Sequence, residues 1–181
     1  GNTTPGAFDL GNLNNNDVAP IEVSTIGFNG VWLLRTGGTS EPGVPVCFGE
    51  APAPCPCSNN SAAGSGEGCV NSTGVGGLLT AFGSNSVATD DLQLWATQLR
   101  PATTGVWLQG ATLIGVPFRD GILCMGNPTV RLQPAQIKED GHSESVVLIA
   151  FQGRVNPGDT RYYQLWYRDG PGPCSNGSNL T

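Results

Sequence analysis

The sequence has 181 residues, of which 12% are charged, with a formal net charge of −6 and a sequence pI near 4.5. This acidic balance argues against nucleic acid as a partner, because the scattered basic residues form no patch that could neutralise phosphates. The 27 glycines and 14 prolines favour turns and strands over long helices. No run approaches the roughly 20 apolar residues of a membrane-spanning helix, so we predict no membrane span.

Residues 1–28 are predicted to form an extended N-terminal arm before a β-sandwich domain of residues 29–181. The polar stretch of residues 1–17 has little to bury and should be loose by itself. Two β-rich runs follow, residues 21–28 and 31–36, and Asn29-Gly30 between them is a strong signal for a two-residue hairpin turn. The chain opens at Gly1 without a signal-peptide pattern, which we interpret as the processed N-terminus of a secreted protein.

Residues 37–77 consist almost entirely of turn-forming residue types, yet four of the six cysteines lie there. We predict a disulfide-pinned loop region in an oxidising compartment, because cross-links supply order that core burial cannot. Zinc is the competing interpretation, but the cysteine spacing does not match a zinc knuckle and the chain has one histidine. We favour pairing Cys124 with Cys174 and closing the loop group on itself. The predicted disulfide cysteines are Cys47, Cys55, Cys57, Cys69, Cys124 and Cys174.

Strand signals then recur at the spacing of a sandwich or barrel, and no ten-residue window has uninterrupted helical periodicity. With the N-terminal pair they predict an all-β fold, a β-sandwich or jelly-roll of about nine strands. The segments predicted after the loop region are residues 78–82, 91–99, 105–109, 121–125, 129–132, 144–151 and 160–168.

Residues 160–168 are predicted to form a central strand. They contain all three tyrosines and one tryptophan, with Tyr163, Leu165 and Tyr167 on one face and Tyr162 and Trp166 on the other. An edge strand is seldom so aromatic on both faces, so this strand should lie inside a sheet.

From Cys47 onward the chain resembles a recurring secreted bacterial β-domain that is often found at the C-terminus of large surface proteins. The resemblance covers about three quarters of the chain and implies a secreted, disulfide-bearing β-fold, without implying an activity. The segments that carry it include Cys47-Phe48-Gly49, Cys55-Pro56-Cys57, Gly68-Cys69-Val70-Asn71, Val116-Pro117-Phe118-Arg119-Asp120-Gly121, Leu123-Cys124-Met125-Gly126 and Gly158-Asp159-Thr160-Arg161-Tyr162-Tyr163-Gln164-Leu165-Trp166-Tyr167-Arg168-Asp169.

One departure from that family concerns the end of the sequence. In the family, a phrase like that of residues 177–181 leads into one more apolar strand, whereas this sequence stops at Thr181. Either that strand is missing from the sequence or another segment fills its place, and the arm carries apolar residues at strand spacing. We therefore expect strand donation between subunits, which makes a filament if the ring does not close. The predicted assembly residues are Phe8, Leu10, Ile21, Val23 and Phe28.

The sequence predicts no catalytic residue, no metal and no cofactor. His142 lies in a turn-forming stretch, where we expect a solvated loop residue, and there is no Gly-x-Ser-x-Gly elbow or second histidine. The neighbouring carboxylates Asp90-Asp91 and Glu139-Asp140 would point to opposite faces of a strand, which favours turn chemistry over a glycosidase pair.

Asn-x-Ser/Thr motifs lie in predicted loops or in the arm, which makes covalent glycans a candidate modification. The candidates for glycosylation are Asn2, Thr3, Thr4, Asn59, Asn71, Asn176 and Asn179.

These observations predict an extracellular structural protein, a subunit of a self-assembling fibre at the cell surface whose partner is itself. The alternative is a secreted carbohydrate-binding or adhesion module, for which Trp32, Trp95, Trp107 and Trp166 would supply a stacking platform. Because the tryptophans are spread over four separate predicted strands, core and interface positions are the simpler interpretation.

Overall fold

A computed structural model describes residues 31–35 and 42–181, and the structural statements below concern these residues. They form a nearly all-β fold, which confirms the predicted class. The elements are β1 (Val31–Arg35), β2 (Val44–Val46), β3 (Leu78–Phe82), β4 (Gln93–Thr97), β5 (Thr104–Phe118), β6 (Gly121–Gln136), β7 (Ser143–Glu144), α1 (Ile149–Gln152), β8 (Thr160–Asp169) and β9 (Gly177–Leu180).

The strands form two antiparallel sheets. The large sheet has the order β2-β1-β8-β5-β6, with β9 also paired to β8, and the small sheet has the order β3-β4-β7. The main core lies between them, with Leu79 and Leu94 from the small sheet packed against Trp107 and Leu165 from the large one. The alternation of side chains along β4 follows the sequence pattern, because Leu94 and Ala96 are buried there.

The strand predicted to be central, β8, is central. It lies between β1 and β5 in the large sheet. Tyr163, Leu165 and Tyr167 are at most 1% exposed and face the core. On the opposite face, Tyr162 packs against a second buried cluster that contains the disulfide cysteines.

The strand predicted over residues 144–151 is wrong. β7 has two residues, and Ile149–Gln152 form a single helical turn instead. The carboxylate of Asp90 accepts hydrogen bonds from the N–H groups of Ala150 (2.7 Å) and Phe151 (2.8 Å) at the start of this turn. These donors are unpaired in a helix, and a distant side chain that satisfies them favours the turn over an extended strand.

Two further differences concern strand boundaries. The strands predicted over residues 121–125 and 129–132 are parts of one long strand, β6, whose pairing with β5 contains register shifts. Residues 177–180, expected only to lead into a strand, form β9.

All six cysteines form disulfides, as predicted, but the predicted pairing is mostly wrong. The bonds are Cys47–Cys124, Cys55–Cys69 and Cys57–Cys174, with Cα separations of 6.1, 5.8 and 5.6 Å. The loop region is thus closed on itself only through Cys55–Cys69, and its other two bonds tie it to β6 and to the segment before β9. Sequence spacing does not show this, because the tertiary fold brings β6 and residues 170–176 beside the loop.

The two buried tyrosines of β8 give a matched test of this core. The hydroxyl of Tyr167 accepts a hydrogen bond from Asn71 Nδ2 (3.0 Å), whereas the buried hydroxyl of Tyr163 has no partner among the described residues. Burial raises the pKa of both hydroxyls, so both are neutral at neutral pH.

We expect Tyr163→Phe to increase the free energy of unfolding by about 1 kcal/mol, because it removes a buried hydroxyl that makes no hydrogen bond. Tyr167→Phe should decrease it by about 1 kcal/mol, because Asn71 loses an acceptor. Chemical denaturation at pH 7 measures both, and equal losses in the two variants would contradict this description of the core.

Candidate functional site

The two edges of β8 are used differently. One edge pairs with β5 across residues 162–167. The other edge is divided between β1, which pairs with residues 160–163, and β9, which pairs with residues 166–169. Since β5 occupies the first edge at residues shared with both pairings, β1 and β9 must lie on the same second edge.

β9 and β1 run in the same direction along that edge. Leu180, at the end of β9, is opposite Trp166, and Trp32, near the start of β1, is opposite Tyr163. The outer strand on β8 is therefore made of two segments from opposite ends of the sequence, placed end to end.

The junction between these two segments is held by Gln164, which is completely buried. Its Nε2 donates to the carbonyl oxygens of Ile122 (2.9 Å) and Thr181 (2.6 Å), and its Oε1 accepts from the N–H of Cys124 (3.2 Å). Gln164 thus connects β6, β8 and the residue that follows β9.

Thr181 is also fixed by hydrogen bonds of its own backbone and side chain. Its N–H donates to the carbonyl of Leu165, and its Oγ1 accepts from the N–H of Leu165, both at 3.1 Å. Neither role was predicted from the sequence, because a polar residue such as Gln164 in an alternating strand indicates a solvent-facing position and Thr181 lies in no predicted strand.

Three of the candidate glycosylation asparagines are buried beside β9. Asn59, Asn71 and Asn179 are at most 9% exposed. The Nδ2 of Asn59 donates to the carbonyls of Val70 (2.7 Å) and Asp120 (2.8 Å), and the other two amides also donate to protein acceptors. In the folded chain these amides are therefore structural groups and are closed to a glycan.

The remaining glycosylation candidates have different positions. Asn176 is exposed in the loop before β9, as predicted, whereas Asn179 lies inside β9 and corrects the prediction that all the motifs lie in loops or the arm. Asn2, Thr3 and Thr4 lie outside the described residues.

Two buried carboxylates lie against the turn that leads into β9. Asp120 accepts from the N–H groups of Cys174 (3.3 Å) and Asn176 (3.1 Å), and Asp169 accepts from the N–H of Ser72 (3.0 Å). A Cβ added to Gly172 would collide with both carboxylates. A glycine is required there because the backbone approaches these side chains closely.

One of the carboxylates considered for catalysis, Asp91, is held by a neighbouring turn. Asp91 accepts hydrogen bonds from the N–H and hydroxyl of Ser84, and these bonds lower the pKa of the Asp91 carboxyl. Among the described residues, no group of three or more histidine, cysteine or acidic side chains is placed to hold a metal ion. Within the same residues, no helix is long and apolar enough to cross a membrane.

His142 is not the solvated loop residue that the sequence indicates. Its side chain is 18% exposed and is stacked on Trp95, with ring centroids 5.4 Å apart. Its Nδ1 lies 3.2 Å from Asp140 Oδ1, a contact that lowers the pKa of the Asp140 carboxyl.

The described tryptophans do not form one platform. Trp107 is completely buried in the core, Trp166 lies on the outer face of the large sheet, and Trp95 lies on the small sheet beside Phe82. Trp32 is in β1, of which only the backbone is described.

The predicted assembly residues Phe8, Leu10, Ile21, Val23 and Phe28 lie outside the described residues. The nearest described element is β1, which begins at Val31.

Comparisons with known protein families, with curated proteins and with solved structures found no match to this chain.

Proposed function

We propose that this protein is an extracellular structural subunit that assembles into a fibre, with the N-terminal segment of one subunit completing the outer edge of β8 in the next. The observation that carries the proposal is the end-to-end placement of β9 and β1 along one edge of β8. A strand that docks through backbone hydrogen bonds can make the same bonds to its own chain or to an identical neighbour.

The connection after β1 supports an exchange between subunits. Residues 36–43 separate β1 from β2 and include three glycines. Fully extended, such a segment spans about 26 Å, which is enough to carry β1 away from its own sheet. β2 is followed directly by Cys47, whose disulfide to Cys124 holds it to β6, so the chain after the connection stays with its own subunit.

The three disulfides support the extracellular location, because such bonds persist in oxidising compartments.

A carbohydrate-binding or adhesion function is the second candidate, and an aromatic surface on the small sheet favours it. Phe82 is 53% exposed and packs edge-on against Trp95, which also stacks on His142. A glycan array separates the two functions: binding that Trp95→Ala abolishes would favour adhesion. Trp107 is unsuitable for this test, because it is buried in the core.

Deletion of residues 1–35 should leave monomers, because it removes β1 and the arm before it, the segment proposed to link subunits. Negative-stain microscopy and sedimentation velocity compare the deletion with the full chain, for which we expect fibres. Ile21→Asp or Val23→Asp should also weaken assembly, since a buried unpaired charge is costly. Asn14→Asp is the matched control, with the same new charge in a polar stretch. Fibres that persist after the deletion would refute strand donation.

A cysteine pair distinguishes docking within one chain from docking between chains. Arg35 is opposite Thr160 in the β1–β8 register, so Arg35→Cys with Thr160→Cys should form a disulfide. Non-reducing gel electrophoresis should show a ladder of linked subunits.

In the control, Arg35→Cys with Arg161→Cys, the second cysteine points to the opposite face, and no ladder is expected. If the first pair closes quantitatively within single chains, β1 belongs to its own subunit and the proposal fails.

A further inference from the structure

The large sheet curls, and the inside of the curl contains an open apolar groove. The distal parts of β5 and β6 bend back over the outer face of β8, where Gln164 binds the backbone of β6 and the N–H of Asp120 donates to the carbonyl of Ser178 (3.1 Å). The groove has a volume of about 180 Å³. Its apolar lining includes Leu108, Phe118, Leu123, Met125, Trp166 and Leu180.

We propose that this groove is the acceptor site for residues 21–28 of a neighbouring subunit. The proposal rests on the fibre function above and names the surface and the segment that would form the junction. Residues 21–28 have the sequence Ile-Glu-Val-Ser-Thr-Ile-Gly-Phe, with four large apolar side chains.

The pairing of β1 excludes the simplest alternative position for this segment. The Asn29-Gly30 signal predicts that residues 21–28 fold back along β1 as a hairpin. However, β1 already pairs with β2 on one edge, from Val31 to Leu33, and with β8 on the other, from Trp32 to Arg35. β1 therefore has no free edge for residues 21–28, which leaves the groove as a surface for their apolar side chains.

The position of Val31 puts the groove within reach of the segment. Val31 is at the end of β1 that faces Thr181, and the neighbouring Leu180 and Trp166 line the groove. Phe28 precedes Val31 by three residues, a distance of about 10 Å in extended chain. The chain between Val31 and Phe28 is therefore long enough for Phe28 to reach the groove directly.

The size and charge of the groove also fit this segment. Its volume is comparable with that of a cavity of about 150 Å³ that takes up benzene, so one aromatic ring such as that of Phe28 would fill it. Arg131 lines the groove, and its guanidinium has no carboxylate or hydrogen-bond partner in the described part of the chain. Glu22 is the one charged residue between positions 18 and 30 and would complement it.

A photo-reactive probe in the full chain tests the proposal directly. Phe28 is replaced by p-benzoylphenylalanine in chains that are mixed in light and heavy isotopic forms before assembly. After irradiation, mass spectrometry should find attachment to groove residues in light–heavy pairs, above all to Met125, the sole methionine of the sequence. The same probe at Asn14, in the polar stretch of the arm, is the control and should not label the groove.

Matched substitutions then link the labelling to the groove. Leu123→Asp introduces a charge into the groove and should lower the Met125 labelling by roughly tenfold or more. Leu113→Asp makes the same change on β5 at a position that is 48% exposed and does not line the groove, and it should leave the labelling unchanged. Thr129→Trp, which fills the groove without a new charge, should also block labelling and serves if Leu123→Asp does not fold.

The outcomes separate this inference from the proposed function. Labelling elsewhere on the surface, or labelling that Leu123→Asp and Thr129→Trp leave intact, overturns the groove as acceptor. Fibres that still require residues 1–35 would then support strand donation at another surface. Groove labelling confined to single chains overturns donation between subunits and the fibre function with it.

Discussion

Hydrogen bonding along both edges of β8, together with large side chains on both of its faces, is the constraint around which the described chain is arranged. One face fills the core between the sheets, and the other receives the bent hairpin of β5 and β6. One edge is complete, because β5 covers its central residues. The second edge is complete only because two separate segments share it. A central strand with an open edge would expose unpaired backbone groups beside an apolar surface. This edge must therefore be filled, and a strand from the same chain or from a neighbouring subunit could fill it.

The polar residues around β9 make this arrangement specific. Gln164, Asn179 and Asp120 are completely buried and have hydrogen-bond partners on other segments. Leaving such groups without partners is costly, so β9 is held in one register on β8 and at one distance from the segments that bind these groups. The end of β9 is therefore fixed, and it determines where β1 can begin on β8.

The sequence predicted the parts of the fold that depend on local periodicity. The all-β class, the strand at residues 78–82 and the central position of β8 follow from alternation and aromatic content, and the structure confirms them. The errors came from tertiary contacts that no local pattern reports. Asp90 converts a strand-like stretch into the turn of α1 from sixty residues away, and the fold decides which cysteines meet. For the site, the sequence indicated that a strand position could be filled by another segment, but it indicated neither the use of β1 there nor Gln164, since a buried glutamine has no periodic signature.

The disulfides divide the chain unequally. Cys47–Cys124 and Cys57–Cys174 overlap in sequence, so residues 47–174 are one covalently cross-linked body, while β1 and the arm precede it. In a row of subunits joined through β1, tension inside each body would be resisted by covalent bonds, and tension at each joint by a β-ladder. Force directed along that ladder shears its hydrogen bonds together instead of opening them singly. Such a fibre would break at the joints and release intact subunits.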